Sequence, residues 1–253
     1  MTTEIFRDFH SPDIPDTVLV QAAELFSNHY GIWNTPAGRP GGKPGTRVKL
    51  NVSRLRSQHL PPGARCSYVS VHVDEALAGN VFACRWEYQG RQVCWITQLV
   101  VHREYRGRRL ATRLIEKLRD IDDEIFGIMS SHPAACIAGS KACAGFPLPH
   151  ISRHFIQSCA KEVMASSAIP YVRDAKLRGA LFSDSATDTE GLISGADTEF
   201  YVDHEEPLSA LAWIRAHSEW PLGDLPEGHE FLFMCCVRRR VNGHPIKEVT
   251  SPA

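Results

Sequence analysis

The sequence predicts an α/β (α+β) protein: a mixed, mostly antiparallel central sheet flanked by helices, with an insert after the core motif. Three observations predict it. Strand-like runs at Tyr68–Val73, Asn80–Tyr88 and Arg91–Val101 follow one another closely, the last two flanking Gln89-Gly90, so they read as an antiparallel meander. The meander ends in a basic, glycine-containing turn that feeds directly into an amphipathic helix. A further strand and helix then follow, which adds a parallel member and helical cover to the sheet.

Taken in order, residues 11–33 read as a helix with prolines confined to its start. Ser11, Asp13 or Asp16 is its candidate cap, and Val18, Ala22, Leu25, Phe26, His29 and Trp33 recur at helical spacing. The Pro- and Gly-rich stretch 34–45 reads as a loop, and residues 48–59 as a short helix stopped by Pro61-Pro62. In the meander, Val69, Val71 and Val73 share one face. The helix after the basic turn spans Arg108–Asp122, with Leu110, Leu114, Ile115, Leu118 and Ile121 along one side. Phe126–Ser131 reads as a buried strand and Pro133–Ala144 as the helix after it.

Residues 147–198 read as an insert within one domain spanning 1–253. It holds a helix over His150–Ser166 and a polar loop over Ser183–Thr198, and it covers either the substrate side or simply the core. Regular structure resumes at Glu199–Val202. Pro207–Trp220 reads as a helix, with Glu205-Glu206 suited to its positive end. Glu230–Val237 is apolar on consecutive positions, so both faces of that strand should be covered.

The bulk numbers exclude several classes. Of the 253 residues 43% are hydrophobic and 23% charged, and the net charge is −1, so nothing marks a nucleic-acid partner. No run reaches the length of a membrane span, and the start lacks the apolar core of a signal peptide, so a cytoplasmic or nucleocytoplasmic address is expected. The eight cysteines then read as reduced, buried thiols. Cys136, Cys143, His150 and His154 come nearest to a metal set, but a cysteine spacing of seven does not match the usual zinc knuckles, and no metal is expected.

The chemistry concentrates in residues 99–118. Arg106, Gly107, Arg108 and Arg109 crowd the first turn of the helix, where unpaired N–H groups and the positive end of the macrodipole already favour an anion. Cations normally avoid this end of a helix, so a strongly anionic ligand such as a diphosphate is implied.

Residues 93–120 resemble the acyl-CoA signature of the GNAT superfamily of N-acyltransferases, Arg/Gln-x-x-Gly-x-Gly/Ala after a central strand. Arg106 takes its first position and Ala111 its last, while Arg109 stands where the family usually has glycine. Overall the chain resembles an expanded, fungal-type branch of that superfamily. The resemblance implies the acyl-CoA N-acyltransferase fold, with two central parallel strands that splay apart to admit the thioester. It also implies acetyl-CoA as co-substrate. Backbone groups of Leu99 and Val101 would hold the pantetheine arm, and N–H groups of Gly107, Arg108, Arg109, Leu110 and Ala111, with Thr112, the diphosphate.

Acyl transfer to an amine requires a base for the amine, a donor for the oxyanion and a proton for the leaving thiolate. Many family members use a glutamate on the central strand and a tyrosine on the following helix. Here Thr97 and Lys141 stand at or near those positions. Gln98 is a candidate to hold a water. His132, at the end of a central strand, is either a proton carrier facing the cleft or a helix-entry residue before Pro133. Tyr171 reaches the site only if the insert folds over it. His102 is expected to support the strand end and Glu104 the turn.

The function expected is transfer of an acetyl group from acetyl-CoA to a primary amine of a small molecule or peptide, by direct attack in a ternary complex. The alternative is a non-catalytic acyl-CoA-binding sensor or interaction protein on the same fold. Acidic stretches at Asp184–Glu190 and Asp203–Glu206 keep a basic peptide tail open as acceptor.

Overall fold

A computed structural model describes residues 3–182, 191–238, 240–241 and 244–245. Its chain order opens with β1 (Glu4–His10), α1 (Asp16–His29), α2 (Val52–His59), β2 (Arg65–Val73), β3 (Ala76–Tyr88), β4 (Arg91–Val101) and α3 (Leu110–Leu118). Next come β5 (Asp123–Ser130), α4 (Pro133–Gly139), α5 (Arg153–Ala165), α6 (Pro170–Arg173), β6 (Lys176–Arg178) and β7 (Gly195–Asp197). The chain continues with α7 (Glu205–His217), β8 (His229–Cys236), β9 (Arg240–Val241) and β10 (His244–Pro245).

Eight strands form one sheet in the order β1-β2-β3-β4-β5-β8-β7-β6, and only β4 and β5 run parallel. The mostly antiparallel, helix-flanked sheet expected from the sequence is therefore present. One face carries α3 and α4, which pack on Val69, Val71, Val73 and Phe126. The other carries α1 and α2 on Tyr68 and Phe82. Farther along that second face Trp86 donates from Nε1 to the Val163 carbonyl of α5 at 2.9 Å and stacks on Trp95. Trp95 in turn lies against Gly127 of β5, where an added Cβ would come within 2.2 Å of the indole.

A buried polar knot fixes the root of the parallel pair. Arg85 of β3 donates to both carboxylate oxygens of Asp123 at 2.7 and 3.0 Å, to Ser67 Oγ at 2.7 Å and to the Leu118 carbonyl at 2.8 Å. Both charged side chains are essentially inaccessible, and the satisfied guanidinium makes that burial tolerable.

Several boundaries differ from the sequence reading, each for a local reason. The first ordered element is a strand; its mostly exposed side chains give no apolar alternation to read. The first helix accordingly starts at Asp16, with Pro15 at its cap position, so Ser11 and Asp13 lie outside it. The helix after the basic turn is shorter than 108–122, because Arg109 is left-handed and the Asp123 carboxylate draws the Asp120 N–H into a turn. In the insert, α5 starts at Arg153 behind a Ser152 cap. α4 continues as a π-turn to Ala144, ending at left-handed Gly145.

The expected loop 183–198 contains β7, which extends the sheet beside β8, and its residues 183–190 lie outside the described residues, as does the acidic stretch 184–190. Residues 199–202 carry only a bridge from Val202 to Trp33. All eight cysteines are free, and Cys66, Cys84, Cys94, Cys136, Cys143 and Cys235 are buried. Among the described residues no helix is long and apolar enough to cross a membrane.

Candidate active site

The site begins with a strand irregularity. Across β3 and β4, Phe82 faces Gln98 while its neighbour Ala83 faces Ile96, so Thr97 is the extra residue of a β-bulge. Parallel pairing of β4 with β5 ends at Ile96 and Ile128. Beyond that point β5 stays with β8, pairing Met129 and Ser130 with Leu232 and Phe231, and β4 diverges. A wedge therefore opens between residues 97–101 and the end of β5. Two side chains serve the carbonyls that β5 leaves behind: Tyr171 Oη donates to Thr97 O at 2.7 Å, and Arg106 Nε to Val101 O at 3.2 Å.

The basic turn sits at the mouth of this wedge. Gly107 has φ 76° and Arg109 φ 61°, both left-handed. At Arg109 an L side chain in this conformation costs about 1–2 kcal/mol. The first intrahelical bond runs from Arg113 N to Arg109 O, which leaves the N–H groups of Leu110, Ala111 and Thr112 free of helical acceptors. Arg108 lies over the Tyr105 ring, 5.1 Å from its centroid.

Arg106 has a different task from its neighbours. Its guanidinium pairs with Glu206 and donates to His29 O at 2.8 Å, tying the turn to α1 and α7. Glu206 also stands 3.5 Å from His132 Nε2, and the contacts with His132 and Arg106 hold its carboxyl below the usual range. The Asp203–Glu206 stretch is thus engaged within the protein. Partial burial, with His102, Arg103, Arg106 and Arg47 adding to it, pushes His29 down to about 4.

A polar wall lies on the face opposite α3 and α4. Gln98 Nε2 stands 3.3 Å from His59 Nε2 of α2, and burial lowers His59 to about 3, so that imidazole is neutral. Phe231 packs on Trp220, and Phe233 on Phe126, towards α4. Strand alternation therefore sends Glu230 of β8 to the opposite face, where its charge acts on Tyr171 of α6 and Tyr30 of α1. Burial raises Glu230 to about 7, opposed by the Thr198 hydroxyl, and raises both tyrosines well above 10. Outward from Tyr30 the wall continues through Phe200, at 6.0 Å between centroids, to Trp33, at 5.4 Å from Phe200.

Thr97 Oγ1, Gln98 Oε1, His59 Nδ1 and Trp95 Nε1 are buried without a protein partner. Unsatisfied polar atoms gathered at one bulge are what a site for a polar ligand presents.

The structure thus brings Thr97, Gln98 and Tyr171 together at the bulge. Leu99 and Val101 line its β4 edge. His132 closes the α4 end: its Nδ1 accepts from Ala134 N at 3.2 Å, making it the helix cap. Lys141 is exposed on the π-turn. His102 accepts from Glu104 N at 3.3 Å at the strand end. Sequence reading missed Glu230, His59 and Tyr30. Glu230 carried one signal, as a lone carboxylate opening an otherwise apolar strand; the other two looked like ordinary helix residues.

Residues 44–131, well under half of the chain, match the model of the acetyltransferase (GNAT) family. No curated protein matches the chain. Among solved structures, an acetyltransferase of the GNAT family from Streptococcus pneumoniae is 13% identical with a TM-score of 0.37, over 55% of this chain and 83% of that one. The ribosomal-protein-S18-alanine N-acetyltransferase from Escherichia coli is 15% identical with a TM-score of 0.32, over 53% and 75%. A tandem GNAT protein from the clavulanic acid biosynthesis pathway is 18% identical with a TM-score of 0.33 over 50% of this chain, which spans only 36% of its length. Likeness of this degree carries no information on acceptor or mechanism.

Proposed function

We propose that the protein is an acyl-CoA-dependent N-acetyltransferase, an expanded member of the GNAT superfamily, that transfers the acetyl group of acetyl-CoA to a primary amine in a ternary complex. The observation that carries this reading is the wedge itself. A bulged β4 parts from β5, and a left-handed basic turn with free helix N–H groups stands at its mouth. The family match over residues 44–131 covers the same elements.

The residues present suit acetyl-CoA. N–H groups of Gly107 to Ala111, with Thr112, face an anion at a positive helix end, and the exposed side chains of Arg108 and Arg109 add charge. Leu99 and Val101 offer backbone groups along an edge that β5 has left. Arg106 acts indirectly, holding the turn against α1 and α7. Charge-assisted hydrogen bonds contribute about 1.5–3 kcal/mol each, so a few of them, less the cost of association, support affinity on the order of micromolar.

Acetyl-CoA, when bound, supplies an activated acyl carbon and a sulfur leaving group. The protein's share is to hold that carbon near the Thr97 bulge, to exclude water with α6 and α1, and to deliver a neutral amine nitrogen. Gln98, with His59 behind it, offers an orphaned acceptor that orients a water or the amine. His132 caps α4 and faces Glu206, so its part is to shape the mouth.

The test is thiol release from acetyl-CoA by the full chain with phenethylamine, putrescine, a lysine-containing peptide and a peptide with a free N-terminal alanine. Amine-dependent release with a matching acetylated product supports the reading. Binding of acetyl-CoA without release on any amine supports the acyl-CoA sensor instead.

A further inference from the structure

One register pair in the sheet sets two cysteines face to face, Cys66 of β2 opposite Cys84 of β3. The Cys66 carbonyl accepts from Ser11 N at 2.9 Å, and the Cys66 N–H donates to Ser11 Oγ at 3.0 Å. Both backbone groups of Cys66 therefore point towards the β1 side and away from β3, which makes Cys66 and Cys84 a non-hydrogen-bonded pair. Such a pair brings its Cα atoms to about 4.5 Å, with the side chains closer than in the hydrogen-bonded kind. That separation lies within the range of about 4.4–6.8 Å that a disulfide spans. Strand alternation puts both thiols on the face that carries α1 and α2, between the Tyr68–Phe82 rings and the Trp86–Trp95 stack. No other register pair among the described residues opposes two cysteines: Cys94 faces Arg85 and Phe126, Cys235 faces Phe126, and Cys236 faces Ile125.

We propose that Cys66 and Cys84 are a reversible thiol–disulfide pair, oxidised by hydrogen peroxide or a small organic peroxide, that staples β2 to β3 within the folded protein. The β1 ladder has ended at His10 and Ser67, and the next residue pair outward from the thiols is Arg65 with Arg85. Arg65 is exposed, so the pair lies one residue in from the rim of the sheet. Hydrogen peroxide is little larger than water, and the opening that admits it there is local. The two thiols have different tasks. A hydrogen bond with Cys84, opposed by burial and aided by Arg85, holds Cys66 below the usual thiol value, while the same bond and burial hold Cys84 above it. Cys66 is then the attacking sulfur and Cys84 the resolving one.

Cys66 gives up its proton and its sulfur attacks one peroxide oxygen. The S–O bond forms, the O–O bond breaks, and the leaving hydroxide takes that proton to become water. The Cys84 sulfur then attacks the sulfenic sulfur of Cys66. The S–S bond forms, the S–O bond breaks, and the second hydroxide leaves as water with the Cys84 proton. Two thiols lose two electrons to one peroxide, giving one disulfide and two waters. A resolving thiol directly opposite also spares Cys66 the irreversible steps to sulfinic and sulfonic acid. Exchange with a dithiol reductant restores both thiols.

The experiment treats the full wild-type chain with hydrogen peroxide, alkylates the remaining thiols in denaturant and maps the peptides by mass spectrometry. A Cys66–Cys84 crosslink should form in most chains, and dithiothreitol should return both thiols. The oxidised chain should still melt cooperatively and at least about 5 °C higher, because the bond constrains the unfolded chain. In Cys84→Ala, which lacks the resolving thiol, the same treatment should leave Cys66 as a sulfenic acid that dimedone labels at least about tenfold more than in wild type. Recovery of Cys66 and Cys84 alkylated in the wild-type chain overturns the inference, as does a disulfide of either one with another cysteine in place of this bond. A crosslink that appears only as cooperative melting is lost overturns it too, since the bond then belongs to an unfolded chain.

Discussion

The Tyr171 hydroxyl donates to the Thr97 carbonyl at 2.7 Å, joining a four-residue helix of the insert to the bulge of the central strand. The bond puts a hydroxyl donor at the bulge.

Removing that hydroxyl should separate chemistry from folding. Tyr171→Phe loses one hydrogen bond and keeps the ring, so stability should fall by only about 1 kcal/mol. Acetyl-CoA binding should persist while kcat falls by about tenfold or more. Steady-state kinetics and a melting curve on one preparation check both.

Arg109 and Ala111 should respond in opposite ways. Arg109→Gly relieves a left-handed arginine, so it should hold or raise stability by up to about 1 kcal/mol and weaken acetyl-CoA only modestly. Ala111→Leu puts bulk beside the free N–H groups and should weaken binding by tenfold or more. Calorimetry on the two variants checks the register of the turn.

Glu230→Gln should be more stable than wild type in a pH-dependent way. The fold raises this carboxyl from 4.5 to about 7, so the folded state prefers it protonated. Its ionisation therefore penalises folding increasingly as pH rises from about 4.5 to about 7, and by a constant amount above that. At 1.36 kcal/mol per pH unit the plateau is about 3 kcal/mol. Denaturant titrations at pH 5 and 8 should show the variant's advantage growing between them.

The Arg85–Asp123 pair should behave as structure. Asp123→Ala leaves a buried guanidinium with its charge unmatched and should cost about 3–5 kcal/mol, read as a shift in the denaturation midpoint.

Much of the architecture was legible because it is local. The Gln89-Gly90 hairpin, the valine alternation in β2 and the apolar stripe from Leu110 each carry their signal within a dozen residues. β1 was hidden because it is an edge strand with most side chains in water. The site divides in the same way. The turn and helix start at Gly107 to Thr112 could be read directly, since they are contiguous in sequence. The wall could not, because Tyr30, His59, Tyr171 and Glu230 meet only through the sheet, and nothing in a single stretch of sequence says that a glutamate before Phe231 faces a tyrosine on α6. The partners of Arg106, His29 and Glu206, were hidden for the same reason, since they belong to distant helices.

The most direct test of the account is calorimetric titration of the full chain with acetyl-CoA. One site with micromolar affinity, weakened at least tenfold in Ala111→Leu, is the expected result. The absence of heat up to millimolar acetyl-CoA, or equal affinity in Ala111→Leu, would contradict the assignment of the β4–β5 wedge and its basic turn as an acyl-CoA site.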